Sequence, residues 1–460
     1  MVSLTFENGT IIAEGAAGIL AQIPGMVLDQ RIKKYRAAAN QYRSIIMHCR
    51  DKKIAVTDSV RQYQAIDCTL KKPISPRPHQ MQALKSWLTA TKQGVVQLPT
   101  GAGKTYLAIL AMVKSGRSTL ILVPTIDLMN QWHEVLSNFL NVEIGMLGGG
   151  QKDIFPVTVS TYDSAVLFIE RIGNKFGLLI ADECHHLPAP QYQNIALGCI
   201  APFRLGLSAT VERADGKESE IYRLMGDLVF EGRIDEMVDD VLAPYDVVNI
   251  QVPMSEVELE LYTASRKIYT DFIKRAGVNF SSPNGWQDFI IRAARLPGGR
   301  EAMRAYRDQK TLAQGASAKL KALWEILQEY PEDRAIVFTE DNNMAYKIGR
   351  TFILAVLTHQ TKLKERKRML AAFRQGEINV LVTSKVLNEG VDVPEAGIGI
   401  VISGSGGVRE HVQRLGRILR HQPGKRAKLF EVVSKGTSEY YVNQRRRQHH
   451  AYKGSTEISS

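Results

Sequence analysis

Between Gly94 and Leu110 an apolar run, a glycine-rich loop and the start of an apolar helix stand side by side. Gly94-Val95-Val96-Gln97 leads into Leu98-Pro99-Thr100-Gly101-Ala102-Gly103-Lys104-Thr105, and Tyr106-Leu107-Ala108-Ile109-Leu110 follows. A strand, a tight loop and a helix start in succession belong to folds in which strands and helices alternate. Such a loop aims consecutive backbone N–H groups and a helix N-terminus at one spot, which favours phosphate, while Lys104 adds charge and Thr105 a hydroxyl for Mg²⁺. The stretch reads as a nucleoside-triphosphate site. The strict phosphate-loop pattern has Gly where Leu98 stands, so the surrounding chain has to decide.

From Arg77 to about Val241 short β runs alternate with helices. Val95–Leu98, Thr119–Val123, Val157–Ser160, Leu178–Ala181 and Arg204–Leu207 read as strands. Ile126–Leu140 reads as a helix, with Ile126, Met129, Trp132, Val135, Leu136 and Phe139 sharing one face. That alternation implies a parallel sheet covered on both sides, with ligands at the carboxyl ends of its strands. The theme repeats from Arg334, with strands at Ala335–Phe338, Ile353–Leu357, Val380–Val382, Ile398–Ile402 and Leu429–Val432 and a helix closing at Gly376. The second core has no phosphate loop, which suggests a composite site shared by the two.

The flanks read differently. Leu4-Thr5-Phe6 and Ile11-Ile12-Ala13 flank the turn dipeptide Asn8-Gly9 and predict a β-hairpin. The basic stretch from Arg31 to Arg43, with Ile32, Tyr35 and Ala39 at helical spacing, predicts a helix. Between the cores, Ser265–Lys321 holds twelve Lys and Arg against four Asp and Glu, interleaved with Tyr269, Phe272, Phe280, Trp286, Phe289 and Tyr306. Basic residues among aromatics suit phosphate contact and base stacking, although an amphipathic helical insert would use the same rings as its core. The expected organisation is a small α+β domain at 1–72, a first motor domain at 73–241, a basic, mainly helical insert at 242–325, a second motor domain at 326–440 and a basic tail at 441–460.

Charge and composition narrow the classes. A net charge of +12 favours a polyanionic partner. Cys49, Cys68, Cys184 and Cys199 form no CxxC pair, which argues against a disulfide framework and a structural zinc site. With no membrane-length apolar run and no signal-peptide pattern, the expected location is the cytoplasm, that of the host if the chain is phage-encoded.

The chemistry converges on a few groups. The strand Leu178-Leu179-Ile180-Ala181 ends in Asp182-Glu183-Cys184-His185. An acidic residue at the end of a buried strand beside a phosphate loop is placed to hold Mg²⁺, and a second carboxylate can orient and activate the attacking water. His185 and His186 are adjacent and splay apart, which disfavours zinc. Near the C-terminus, Gln413-Arg414-Leu415-Gly416-Arg417-Ile418-Leu419-Arg420 puts Arg417 and Arg420 on one helix face, as a pair of arginine fingers requires.

The ordered series Arg77-Pro78-His79-Gln80, Pro99–Thr105, Val123-Pro124-Thr125, Ser160-Thr161-Tyr162, Asp182–His185, Ser208-Ala209-Thr210, Ile336–Thr339, Thr383–Pro394 and Gln413–Arg420 resembles the motif series of superfamily 2 helicases. The resemblance implies two tandem RecA-like domains and an ATP- and Mg²⁺-dependent motor. Residue by residue, it implies that Gln80 and Arg77 recognise adenine, and that Pro99, Thr100, Gly101, Ala102, Gly103 and Lys104 cradle the phosphates. Thr105 and Asp182 would hold Mg²⁺, Glu183 would be the catalytic base, and Ser208 and Thr210 would couple hydrolysis to motion. Gly390, Asp392 and Gln413 would line the nucleotide from the second core, with Arg417 and Arg420 as the fingers. Asp-Glu-Cys-His with Gln-Arg-x-Gly-Arg-x-x-Arg looks like the DNA-directed branch that includes XPB-type helicases and phage UvsW-type branch-migration helicases. The implied partner is branched or forked DNA; an RNA helicase and a nucleotide-gated clamp are the alternatives.

Overall fold

The computed structural model describes residues 1–73, 75–211, 216–232, 245–280, 282, 285–384, 396–402, 427–439 and 456–459. They fall into two compact units. The first holds the described residues up to 211 and 217–232, the second Gly216 and those from 245 onward.

The first unit opens with a small sheet of β1 (Val2–Glu7), β2 (Thr10–Glu14), β3 (Val27–Asp29), β4 (Lys34–Ala38) and β5 (Val56–Asp58), in the order β3-β4-β2-β1-β5. Asn8 and Gly9 both take positive φ, 47° and 73°, as a two-residue hairpin turn demands. The helix expected within 31–43 is replaced by β4, which pairs with β2 through Ile12↔Arg36 and with β3 through Val27↔Arg36. Turn chemistry decides it. The Asp29 carboxylate accepts from Arg31 N and Nε at 3.1 and 3.0 Å, and Lys33 turns through φ 53°. The chain therefore reverses before a helix can nucleate.

Residues 1–72 pack directly against the rest of the first unit. Ile200 joins Val2, Leu4, Ile11 and Ile45 in one apolar cluster. Arg43 donates to the carbonyls of Thr91 and Pro202 at 3.1 Å each. Beyond β5 the chain runs across the larger sheet's flank, where Gln62 N bonds Asn174 O, Ile66 N bonds Gly116 O and Arg117 lies over the Tyr63 ring.

That larger sheet comprises β6 (Gln93–Gln97), β7 (Thr119–Val123), β8 (Ile144–Gly148), β9 (Gln151–Lys152), β10 (Val157–Thr161), β11 (Leu178–Asp182), β12 (Phe203–Ser208) and β13 (Leu228–Glu231). Its order is β13-β6-β12-β11-β7-β10-β8-β9, and every pair but β8/β9 is parallel. The central strands are buried on both faces, which is why they read as unbroken apolar runs. Helix Pro78–Thr89 leads into β6, and Lys104–Ser115, Ile126–Phe139 and Tyr162–Ile172 join β6 to β7, β7 to β8 and β10 to β11. Arg204 is 4% exposed and its guanidinium donates to the carbonyls of Ala196, Cys199, Ala201 and Leu224. A buried cation is tolerable here because its donors are so fully used.

The second unit is a sheet of β14 (Tyr245–Val252), β15 (Ala335–Thr339), β16 (Ala355–Leu357), β17 (Val380–Thr383), β18 (Ile398–Ile402), β19 (Ala427–Ser434) and β20 (Thr456–Ser459), in the order β16-β17-β15-β18-β19-β14-β20. All its pairs are parallel. The stretch expected to open a helical insert thus contributes β14, paired along its whole length with β19. Ile353, read as the start of a strand, instead ends a helix at φ 54° and is exposed. Helices Glu256–Ala276, Gly285–Arg295 and Gly299–Gly315 pack around Phe272 and Phe289, with Tyr269, Trp286 and Tyr306 in ring contact about Phe289. Phe272 and Phe289 are therefore the insert's core, while Phe280 and Trp286 keep more than 40% of their surface exposed. Among the described residues no helix is long and apolar enough to cross a membrane.

Candidate nucleotide and metal site

The glycine-rich loop sits at the carboxyl end of β6. Gly101 and Gly103 take φ of 88° and 85°, a region L side chains avoid, so the loop folds back only because glycine stands at both positions. Gly103 caps the helix Lys104–Ser115. Leu98 is buried and its N–H bonds Ser208 O at 3.0 Å, which ties the loop's root to the end of β12. An apolar side chain suits that place; Leu98 serves as the last residue of the strand's core. Lys104 Nζ donates to Leu98 O at 3.2 Å, an internal contact that phosphate oxygens can replace.

Gln80 is buried against the same loop. Its Oε1 accepts from Arg77 N at 2.9 Å, and its Nε2 lies 3.3 Å from the carbonyls of both Ala102 and Gly103. His79 Nε2 reaches Ala102 O at 2.8 Å. Both side chains come from the first turn of Pro78–Thr89, and Arg77 stands exposed at its N-cap. The Arg77–Gln80 stretch and the phosphate loop are thus one hydrogen-bonded assembly.

Asp182 closes β11. Its Oδ2 accepts from the Trp132 indole N–H at 2.9 Å, its Oδ1 from Glu183 N at 3.1 Å, and its main-chain carbonyl from the Tyr162 hydroxyl at 2.9 Å. Burial, then the neighbouring Glu183 charge, push its pKa up from the ordinary carboxylate value, and Lys104 opposes both. Glu183 turns the chain through φ 49°, a strained conformation for a non-glycine residue. His185 Nδ1 lies 3.4 Å from Glu183 Oε2 and 3.1 Å from Ser208 Oγ. Because the Ser208 hydroxyl gives its one proton to Thr210 O at 2.6 Å, His185 Nδ1 carries the proton in its own bond to Ser208. His185, Ser208 and Thr210 therefore form a hydrogen-bonded chain at the ends of β11 and β12, with Glu183 Oε2 3.4 Å from its first member.

The donors suit a hard dication. One carboxylate, Asp182, and one hydroxyl, Thr105, leave the remaining places for phosphate and water, as Mg²⁺ prefers. Glu183 Oε2 is buried and accepts no hydrogen bond among the described residues, so it has a lone pair available for a water proton. Among the described residues no three His, Cys, Asp or Glu side chains gather into a cluster of the kind other metals use. Of the residues picked out from sequence, those from Arg77 to Thr210 are described and lie around this loop and the adjoining strand ends. Gly390, Asp392, Gln413, Arg417 and Arg420 lie outside the described residues. The sequence places Trp132 on the apolar face of its helix and Tyr162 within the Ser160-Thr161-Tyr162 motif and gives neither a role at the site, because nothing in a sequence signals which acceptor a buried N–H or O–H will take.

Two RecA-like parallel sheets, one carrying a phosphate loop and the pair Asp182-Glu183, define an ATP-dependent superfamily 2 helicase. Residues 73–213 match the type III restriction enzyme res subunit family and residues 318–422 the helicase conserved C-terminal domain. Residues 4–60 match the xeroderma pigmentosum group B helicase damage recognition domain. The chain is 39% identical over 448 residues to the DNA 3'-5' translocase XPB2 of Sulfurisphaera tokodaii, an alignment covering 97% of this chain and all of that protein. It is 31% identical over 369 residues to the DNA 3'-5' helicase XPB of Mycobacterium tuberculosis, covering 77% of this chain and 60% of that one. The chain belongs to the XPB family of DNA helicases and translocases. Its fold resembles that of a Saccharomyces cerevisiae Dbp5 variant bound to RNA and ADP BeF3, with a TM-score of 0.57 and 14% identity over 84% of this chain and 90% of that one.

Proposed function

We propose that this protein is a Mg²⁺-dependent DNA 3'-5' translocase that unwinds or branch-migrates forked and four-way DNA in repair, recombination or replication. Its place of work would be the cytoplasm. The observation that carries the reading is the fusion of residues 1–72 to the sheet with the phosphate loop, through Ile200, Arg43 and the strap beyond β5. A recognition module built into the ATPase unit lets the shape of the DNA bear directly on hydrolysis.

In this reading Pro99 to Gly103 cradle the phosphates and Lys104 leaves Leu98 O to hold the β/γ-phosphates. Thr105 and Asp182 hold Mg²⁺, which when bound neutralises the charge on the phosphates. Glu183 Oε2 takes a proton from the attacking water, and the chain through His185 to Ser208 and Thr210 carries the change to the end of β12. Gln80 and Arg77 meet the adenine, Gly390, Asp392 and Gln413 belong to the nucleotide site, and Arg417 and Arg420 stabilise the charge that develops on the γ-phosphate. The expected boundaries at 1–72, 73–241, 242–325, 326–440 and 441–460 stand as functional divisions, with the basic insert as a DNA contact.

ATP-dependent strand separation on tailed DNA duplexes, forks, loops, four-way junctions and tailed RNA duplexes at one salt concentration tests the proposal. Forks and junctions should be opened faster than plain DNA duplexes. A preference for tailed RNA would overturn the DNA reading, and hydrolysis without strand displacement on any substrate would leave a nucleotide-gated clamp.

A further inference from the structure

Trp132 lies on the buried face of Ile126–Phe139, between Met129 and Leu136, and is 2% exposed. A buried indole needs an acceptor for its N–H. The acceptor it finds is Oδ2 of Asp182, while Glu183 N–H occupies Oδ1. A carboxylate with one donor on each oxygen cannot rotate about Cβ–Cγ without breaking one of these bonds, yet each oxygen keeps a second lone pair. Packing alone would be met by any large apolar ring; the N–H contact requires Trp.

We propose that Trp132 is a positioning residue for ATP hydrolysis, its indole N–H holding the Asp182 carboxylate in the orientation that receives the Mg²⁺ of the nucleotide. The inference rests on the reading of Asp182 as a metal ligand. The donor is held rigidly, because the ring is packed within a helix that is capped at Thr125 by its side chain accepting from Leu128 N. Tyr162 supports the same residue differently, through the main-chain carbonyl, and leaves the carboxylate orientation alone. Donors behind a metal ligand orient it and typically matter about 10- to 100-fold in metal affinity or activity.

Trp132→Phe keeps a buried ring and removes the N–H. Mn²⁺ binding to the protein–ADP complex, read by electron paramagnetic resonance, should weaken by about 10- to 100-fold, while ADP binding without metal stays at its wild-type value. The Mg²⁺ concentration for half-maximal ATPase should rise in step. Tyr162→Phe should leave Mn²⁺ affinity unchanged, and an equal loss in both variants would reduce Trp132 to packing. Asp182→Asn separates the two levels. If it keeps Mn²⁺ binding, the ligand reading itself fails; if it loses binding while Trp132→Phe keeps it, only the role of Trp132 fails. Should Trp132→Phe not fold, the wild-type protein with ¹⁵N-labelled tryptophan decides. Adding Mg²⁺ to its ADP complex should move the Trp132 indole resonance, assigned by replacing Trp87, Trp286 and Trp324 in turn with Phe; a resonance that stays put overturns the proposal.

Discussion

The two large sheets share a plan and differ in what their strand ends carry. In the first, β6 leads into a loop with two left-handed glycines, and β11 ends in the buried Asp182, followed by the half-buried Glu183. In the second, β15 ends in Thr339, whose hydroxyl bonds Asp341 O, and Asp341 caps the following helix through Met344 N. A cleft of about 590 Å³ opens there, lined by Glu340, Asn342, Tyr346, His359 and Ser384. Parallel sheets gather loops at one edge in both cases; among the described residues the N–H donors of a glycine-rich loop and the lysine stand at the first edge. What the edge of a parallel sheet can do is thus set by its connecting loops rather than by its layering.

Removing the lysine tests that division most severely. Lys104→Ala should lower ATPase by a factor on the order of 10³ while DNA binding, measured by fluorescence anisotropy, persists. Loss of DNA binding along with hydrolysis would mean that the phosphate loop also serves the DNA contact.

A milder variant asks whether the units are separable in stability. Lys319 is fully buried in the second unit and donates to Glu439 Oε2 at 2.6 Å, an oxygen that also accepts from Ser434 N. Glu439→Gln removes the carboxylate charge that this buried lysine holds at 2.6 Å and should destabilise the second unit by about 3–5 kcal/mol. Urea unfolding followed in a protein whose only tryptophan is Trp324, which lies in the second unit, should shift to lower concentration. A protein retaining only Trp87, in the first unit, should keep its midpoint. A joint shift would show that the two unfold as one.

The smallest effect belongs to the loop itself. Gly103→Ala forces a side chain into φ 85° and against Gln80 Nε2. The strain is about 1–2 kcal/mol, so ATP affinity, measured with a fluorescent nucleotide, should fall by roughly tenfold. An unchanged affinity would remove this loop from the phosphate site.

The apolar runs at Thr119–Val123, Val157–Ser160 and Ile398–Ile402 could be read as strands because a strand buried on both faces has no polar residues to confuse its pattern. β14 was hidden for the opposite reason: Asp246 and Asn249 interrupt its apolar residues, and only pairing with β19 and β20 makes a strand of it. The segment from Lys34 to Ala38 misled because three residues at helical spacing outweighed the turn at Asp29 to Lys33, whose left-handed Lys33 carries no sequence signal. Local order, loop chemistry and the sequence of motifs are properties of neighbouring residues, and the chain by itself determined them: alternating strands and helices, a phosphate loop, an acidic pair. Which distant groups meet was decided only by the tertiary structure. Trp132 reaches Asp182 across fifty residues and Ser208 meets His185 across twenty-three. Such partners depend on how helices pack over the sheet, and a buried donor takes whichever acceptor that packing brings within about 3 Å.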